Sequence, residues 1–134
     1  MSSTAFRAAL LAGLPILERT NHAFAVSYYT APFGVPGVDA TIYYPQVDFK
    51  FKNDTDNYIL IQTELKGTTL KFRFYGTKKK SGTIRGPFFI SGSNDANAPS
   101  RTVFYRDVIV DGQVTKTDTF YTNYKSALDF PIVD

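Results

Sequence analysis

Side chains that could carry out nucleophilic catalysis are found first near His22, the one histidine of this sequence. Histidine titrates near neutral pH, so it can act as a general base when a nucleophile lies within reach. Ser2, Ser3 and Thr4 are candidate nucleophiles at the start of a predicted helix, but no G-x-S-x-G turn surrounds them, and capping of the helix is the simpler explanation for them. Two interpretations of His22 therefore stay open: a catalytic base, or a hydrogen-bonded structural residue beside Asn21, which is the commoner case.

A second group combines basic and aromatic side chains on the outward faces of predicted strands: Lys50, Lys52, Lys71, Arg73 and Tyr75. Together with Lys78 to Lys80, such a face could bind an anionic glycan or a nucleic acid. The alternative is a solvated sheet surface whose charges prevent edge-to-edge aggregation. No aromatic pair has the spacing of an RNA-binding sheet, so we expect no nucleic-acid partner.

The composition excludes several classes of site. The sequence has no cysteine and a single histidine, which excludes disulfides, thiolate chemistry and a His-rich zinc site within these residues. Carboxylates for acid/base work could come from Asp39, Asp48, Asp54 or Asp56, although the last two lie in a turn and lack the spacing of a calcium loop. We therefore expect neither a metal nor a cofactor. The formal net charge of +3 is typical of a soluble surface rather than of a nucleic-acid footprint.

One helix is predicted to position the N-terminal group, over residues 3–13. Ser2 or Ser3 can cap its start, and Gly13 lies where a C-terminal cap belongs. A stripe of apolar residues at three- and four-residue spacing predicts the buried face of the helix: Phe6, Leu10, Leu14 and Leu17.

Strands are predicted for most of the remaining chain. Alternating apolar and polar residues over 47–75 predict a three-stranded antiparallel meander, with a further strand at 40–44 and another at 83–90. Asp111-Gly112 predicts the turn of a last hairpin over 102–124. The inward face of the meander, which we expect the helix to cover, consists of Phe49, Phe51, Ile59, Ile61, Phe72 and Phe74.

These elements predict an α+β fold in which one N-terminal helix packs on a mainly antiparallel sheet. The polar loop at 91–100 suggests a division into a domain at 1–90 and a β-hairpin extension at 91–134 that packs on it. No run of residues is apolar and long enough to span a bilayer, and the N-terminus does not have the pattern of a signal peptide.

An ordered series of short motifs covers more than half of the chain: Ser2-Ser3-Thr4, Ala8 to Leu14, Ile16 to Arg19 with His22, Val26 to Tyr29, Asp39-Ala40-Thr41 with Tyr43, Val47 to Asp56, Tyr58 to Gln62 and Leu70 to Gly76. This series resembles the VanW-like family of bacterial envelope-associated proteins, named for an accessory member of a glycopeptide-resistance cluster. Residues 118–124 are similar, less specifically, to the end of longer members. The resemblance implies a location in the bacterial envelope or outside the cell.

Two departures from the family pattern concern His22. Family members carry a glycine-rich stretch that ends in Cys-Gln just before the Ser/Thr pair, and by that match the Cys would lie two residues upstream of Met1. Thr20 stands where the family often has the first of two histidines, and His22 keeps the second. A Cys at a helix N-terminus has a lowered pKa, and His22 could be its base in acyl transfer on peptidoglycan peptides.

Two functions follow from the resemblance. The preferred one is a non-catalytic binding or structural module of the bacterial cell envelope, in contact with peptidoglycan or a wall-modifying protein. The alternative is a fragment of a cysteine-dependent enzyme that acts on peptidoglycan and whose Cys lies upstream of Met1. For this chain the preferred function needs no absent residue.

Overall fold

The computed structural model describes residues 1–130, and the α+β class is confirmed in it. The helix α1 spans Ser2–Leu11, and the strands are β1 (Ile16–Glu18), β2 (Lys50–Phe51), β3 (Leu60–Lys66), β4 (Thr69–Tyr75), β5 (Lys80–Ser91), β6 (Ser100–Val110) and β7 (Gln113–Tyr124). Short 3-10 turns lie at Ser27–Tyr29 and Ala127–Asp129. No helix among residues 1–130 is long and apolar enough to span a membrane.

The C-terminal half forms one antiparallel sheet in the order β5-β6-β7. The predicted strand at 83–90 and the predicted hairpin at 102–124 are confirmed, each with slightly longer strands. Asp111 and Gly112 have φ of 51° and 74°, the backbone of a two-residue hairpin turn that Asp-Gly favours. The predicted domain boundary, between residues 90 and 91, falls at the end of β5, which pairs with β6 along most of its length; the division into two domains stays a prediction.

The core lies between α1 and the inner face of this sheet. Its fully buried members are Phe6, Leu10, Val38, Ala40 and Phe104. Phe6 makes edge-on contacts with three other rings, whose centroids lie 5.7 to 6.3 Å away: Phe49, Phe104 and Phe120. Burying an aromatic side chain of this kind stabilises the fold by roughly 1.5–3 kcal/mol.

The helix prediction is confirmed in most respects. Phe6, Leu10 and Leu14 are buried, whereas Leu17 is 64% exposed because the helix has ended before it. No side chain caps the start of α1, since the Ser2 and Ser3 hydroxyls donate to the Ala40 carbonyl instead.

The predicted meander over 47–75 is confirmed in its second hairpin, where β3 pairs with β4, and is wrong in its first strand. β2 has only two residues and pairs with β1, while β3 and β4 form a separate two-stranded sheet. The loop between β2 and β3 explains why these two strands do not pair. The side chains of Asn53 and Thr55 donate to the backbone carbonyl of Asn57 and hold residues 53–57 as a local loop rather than a tight hairpin. β2 is left to pair with the chain after α1, where the Lys52 amide donates to the Pro15 carbonyl.

The predicted inward face of the meander is also partly wrong. Phe49 packs against the core as expected, but Ile61 is 45% exposed. Phe72 and Phe74 are half-buried and line an open, mainly apolar groove of about 360 Å³ between α1 and β4. The β3–β4 hairpin therefore lies beside the core instead of forming it.

Candidate functional site

A fully buried carboxylate, Asp39, is the centre of the polar cluster that holds His22. Its Oδ2 accepts hydrogen bonds from the His22 backbone amide and from His22 Nδ1, each at 2.7 Å. Its Oδ1 accepts a bond from the Tyr124 hydroxyl, and Arg19 Nη2 lies 3.9 Å from that oxygen. A buried charge is tolerated only when it is paired and hydrogen-bonded in this way.

The backbone around Asp39 is fixed by side chains rather than by a neighbouring strand. Each carbonyl from 37 to 40 accepts side-chain donors: Gly37 from Arg19 and Thr122, Val38 from Arg7, Asp39 from Arg19, and Ala40 from Ser2 and Ser3. The strand predicted at 40–44 is therefore wrong, since no named strand lies there and only Tyr43 forms an isolated bridge, to Val47. This segment joins α1 to β7 through side chains.

Gly37 lets the segment pass close to the sheet. It has φ of +144°, and an added Cβ would lie 2.5 Å from Thr102 Oγ1. Only glycine fits this close approach without displacing a neighbour.

The electrostatics of the cluster follow from burial. Burial, together with the Asp39 carboxylate, raises the pKa of the Tyr124 hydroxyl, so that it remains a proton donor at ordinary pH. Burial lowers the pKa of Arg19, with the Asp39 carboxylate acting in the opposite direction, and a guanidinium keeps its charge despite such a shift.

His22 connects this buried cluster to an open pocket. Its side chain is 27% exposed, and its ring stacks on Tyr29 with centroids 4.4 Å apart. When Nδ1 donates its proton to Asp39, Nε2 carries the lone pair and can accept a proton or a hydrogen bond. His22 is thus oriented as a base is oriented in a triad, and it is also well bonded as a structural residue.

The pocket beside His22 has a volume of about 250 Å³ and is formed at the start of α1. Its lining contains hydroxyl, phenol and basic groups and no acidic residue: Met1, Ser2, Ser3, Thr4, Arg7, His22, Tyr28 and Tyr29. The first turn of a helix presents backbone N–H groups and the positive end of its dipole. The pocket therefore suits a small polar or negatively charged group.

The predicted basic group lies elsewhere, on two different sheets. Lys50 on β2 pairs with Glu18 at 3.1 Å, and Arg73 on β4 pairs with Glu64 at 3.2 Å. Lys71 and Tyr75 share β4 with Arg73, while Lys52 follows β2. β2 and β4 are not hydrogen-bonded neighbours, so this group does not form one continuous sheet face; its role in ligand binding stays a prediction.

Sequence reasoning found His22 but missed the partners that hold it. Asp39 was one of four candidate carboxylates, and Arg19 and Tyr124 were not singled out. A signal for Asp39 exists, because it lies within the weakly polar run Val35 to Ala40, where an acidic residue is expected to be buried and paired. Nothing in the sequence indicates that Tyr124, 85 residues further on, is its donor.

Comparisons with known proteins agree on the family. A family model described as "VanW like protein" matches residues 1–75, which is more than half of the chain. The chain belongs to the VanW-like family. The resemblance to this family that the sequence motifs indicated is thereby confirmed. His22, Asp39 and the residues that line the pocket all lie within the matched residues 1–75.

A curated relative extends the same result. The chain is 33% identical over 85 residues to "Uncharacterized protein YoaR" of Bacillus subtilis (strain 168), which covers 63% of this chain and 26% of that protein. The VanW-like chain thus spans about a quarter of the length of this relative. No solved structure matches it.

Proposed function

We propose that this VanW-like chain is a non-catalytic binding module of the bacterial cell envelope, and that its pocket takes a carboxylate of a peptidoglycan stem peptide. The observation that carries the proposal is the acid-free pocket in which the His22 ring meets the first turn of α1. The family supports a relation to the envelope, and the pocket supports the chemical class of the ligand.

The charges around the pocket favour an anion. Arg7 supplies a full positive charge, and the helix dipole adds a partial one. Arg7 is held in place by the Val38, Ala31 and Tyr29 carbonyls at 2.8, 2.7 and 3.1 Å. Its charge is therefore fixed beside the pocket, close enough to attract a carboxylate.

The pocket is also preorganised. Asp39 holds both the backbone and the ring of His22, and Tyr29 stacks on the other side of that ring. A site whose groups are already ordered loses little conformational entropy when a ligand binds. The hydrogen bonds of Asp39 therefore favour binding by holding His22 in place before the ligand arrives.

The test is co-sedimentation of the purified chain with peptidoglycan sacculi. Thr4 lines the pocket in the first turn of α1. Thr4→Glu places a negative charge in the pocket while favouring the helix N-terminus. At a separation of about 4 to 5 Å, two like charges near a surface repel by about 1–4 kcal/mol, so the affinity for sacculi should fall by about fivefold or more.

Thr4→Gln is the matched control, since it adds the same bulk without the charge. We expect Thr4→Gln to bind like the wild type or slightly more weakly. Equal binding by Thr4→Glu and Thr4→Gln would contradict a carboxylate site, and a wild-type chain that does not sediment with sacculi would contradict the whole proposal.

A second candidate function rests on the orientation of His22. An Asp–His pair beside a helix N-terminus would activate a thiol supplied by a Cys two residues upstream of Met1, as in a cysteine-dependent enzyme acting on peptidoglycan. The test uses a protein in which the glycine-rich Cys-Gln segment precedes Ser2. Activity on muropeptides that disappears in its Cys→Ser variant would support the enzyme, and equal inertness of both would exclude it.

A further inference from the structure

The outer face of the sheet β5-β6-β7, which points away from α1, carries a row of exposed aromatic side chains. Phe88 pairs with Val103, and Val103 pairs with Tyr121, so one row crosses all three strands. Phe88 is 53% and Tyr121 59% exposed, whereas Val103 between them is nearly buried. Large apolar side chains grouped on an open surface mark an interaction site more often than scattered ones.

The neighbouring row on this face supplies a third ring. Arg85, Tyr105 and Thr119 face one another across β5, β6 and β7. The Arg85 guanidinium lies 5.0 Å from the centre of the Tyr105 ring, and Arg101 lies 6.0 Å from that of Tyr121. We call the surface formed by Phe88, Val103, Tyr105 and Tyr121 the aromatic platform.

Of the two arginines beside the aromatic platform, Arg85 is neutralised by Asp107, whereas Arg101 bonds a neutral amide and keeps its charge. Arg85 donates to both oxygens of Asp107, at 2.7 and 3.1 Å, and Arg101 donates to the Asn123 side chain at 2.7 Å. A nucleic acid would need free cations for its phosphates. The single charge of Arg101 gives too few phosphate contacts for a nucleic acid, and the remaining polar groups suit an uncharged ligand that offers hydroxyl and amide groups.

We propose that the aromatic platform binds a glycan strand, with sugar rings resting on Phe88 and Tyr121. Two strand spacings separate these residues, about 9.6 Å, which is close to the length of a disaccharide repeat. The apolar faces of the sugars would contact the rings, and Arg101, Asn123 and Thr119 would bond their polar edges. This inference rests on the proposed function in that it names the glycan part of peptidoglycan as a second ligand.

The aromatic platform is separate from the pocket in both sequence and place. Its residues follow position 75, beyond the part that the family model matches, and they point away from α1. Peptide and glycan parts of one polymer would thus bind at two sites. Binding by two linked sites exceeds the affinity of either when their spacing fits the polymer.

The test measures affinity for two probes: whole sacculi, and soluble β-linked oligomers of N-acetylglucosamine, which carry no peptide. Tyr121→Ala should weaken binding of the oligomers by about tenfold, the usual effect of removing an aromatic anchor. Tyr121→Phe keeps the ring and should retain the affinity. Tyr58→Ala is the matched control, because Tyr58 is 97% exposed and lies outside the platform.

Each outcome decides a separate point. Oligomer binding that survives both Tyr121→Ala and Phe88→Ala overturns the aromatic platform as a glycan site. Displacement of the oligomers by single-stranded nucleic acid, or a dimer in solution that Tyr121→Ala dissociates, assigns the surface to another partner and also overturns it. Sacculi that bind through Thr4 but not through Tyr121 leave the proposed function standing and refute only the platform.

Discussion

At the scale of single residues, the fold depends on arginines that bind backbone carbonyls. Arg7 and Arg19 hold the segment around Asp39, and Arg106 donates to the Leu10 and Leu14 carbonyls at the end of α1, at 3.0 and 3.1 Å. Arg106 is 1% exposed and pairs with Asp118. In each case one guanidinium donates to several backbone carbonyls at once, which a lysine cannot do with the same geometry.

These contacts mark the limit of prediction at this scale. His22 and the buried stripe of α1 could be predicted, since residue type and local spacing carry the signal. The donors to Asp39 could not be, because they are set by contacts between residues far apart in the chain. The sequence does not distinguish a buried arginine from an exposed one, because burial is decided by the tertiary fold.

Tyr124→Phe tests the buried cluster. Removing the hydroxyl leaves Asp39 without one of its donors, which should lower the free energy of unfolding by about 1–3 kcal/mol at neutral pH. Urea unfolding of the variant and the wild type measures this difference.

The same pair of proteins has a pH signature. Burial raises the pKa of Tyr124 above its ordinary value of 10.0, so above pH 10 the unfolded chain loses this proton before the folded chain does. Wild-type stability should then fall by about 1.4 kcal/mol per pH unit from this group alone. Tyr124→Phe lacks this contribution, so the stability difference should shrink as pH rises; a constant difference would show that the hydroxyl is not buried against Asp39.

At the scale of elements, the decisive contact joins α1 to β5. Gly82 on β5 lies against the last turn of α1, where an added Cβ would come within 1.9 Å of the Leu10 carbonyl oxygen. The alternation of β5 to β7 and the Asp-Gly turn made these strands predictable. The short pairing of β1 with β2 was not predictable, because a strand of two residues such as β2 shows no periodicity.

Gly82→Ala should therefore separate α1 from the sheet. The methyl group cannot fit without a backbone shift, and we expect a loss of about 3 kcal/mol in the free energy of unfolding, the upper end of the usual cost of overpacking. Gly76→Ala is the control, because its added Cβ would meet its nearest neighbours at 3.6 Å, an ordinary contact. Thermal unfolding of both variants gives the comparison; a Gly82→Ala protein as stable as the control would mean that α1 does not pack there.

At the scale of the whole molecule, residues 1–130 form three antiparallel sheets and one α-helix. The sheet β5-β6-β7 and α1 share the core, while the β3–β4 hairpin lies at its side. The class of this fold was predictable from periodicity, but the arrangement was not, because alternation gives the faces of a strand and not its partners. The error in the meander came from that gap.

This arrangement separates two surfaces with different chemistry. The pocket at the start of α1 is polar and is lined by no acidic side chain, whereas the aromatic platform presents exposed rings beside the Arg85–Asp107 ion pair and Arg101. A wall polymer consists of charged peptides on uncharged glycan strands. We propose that the two surfaces bind its two parts, and the carboxylate site in the pocket is the central claim for this VanW-like chain.

The most direct test of that claim is an NMR titration of the isotope-labelled chain with soluble muropeptides. We expect the backbone amides of Ser2 to Thr4 and the ring of His22 to shift together as the peptide carboxylate enters the pocket. Shifts at the start of α1 that are lost in Thr4→Glu and kept in Thr4→Gln would support it. A titration that leaves His22 and the first turn of α1 unchanged would contradict it.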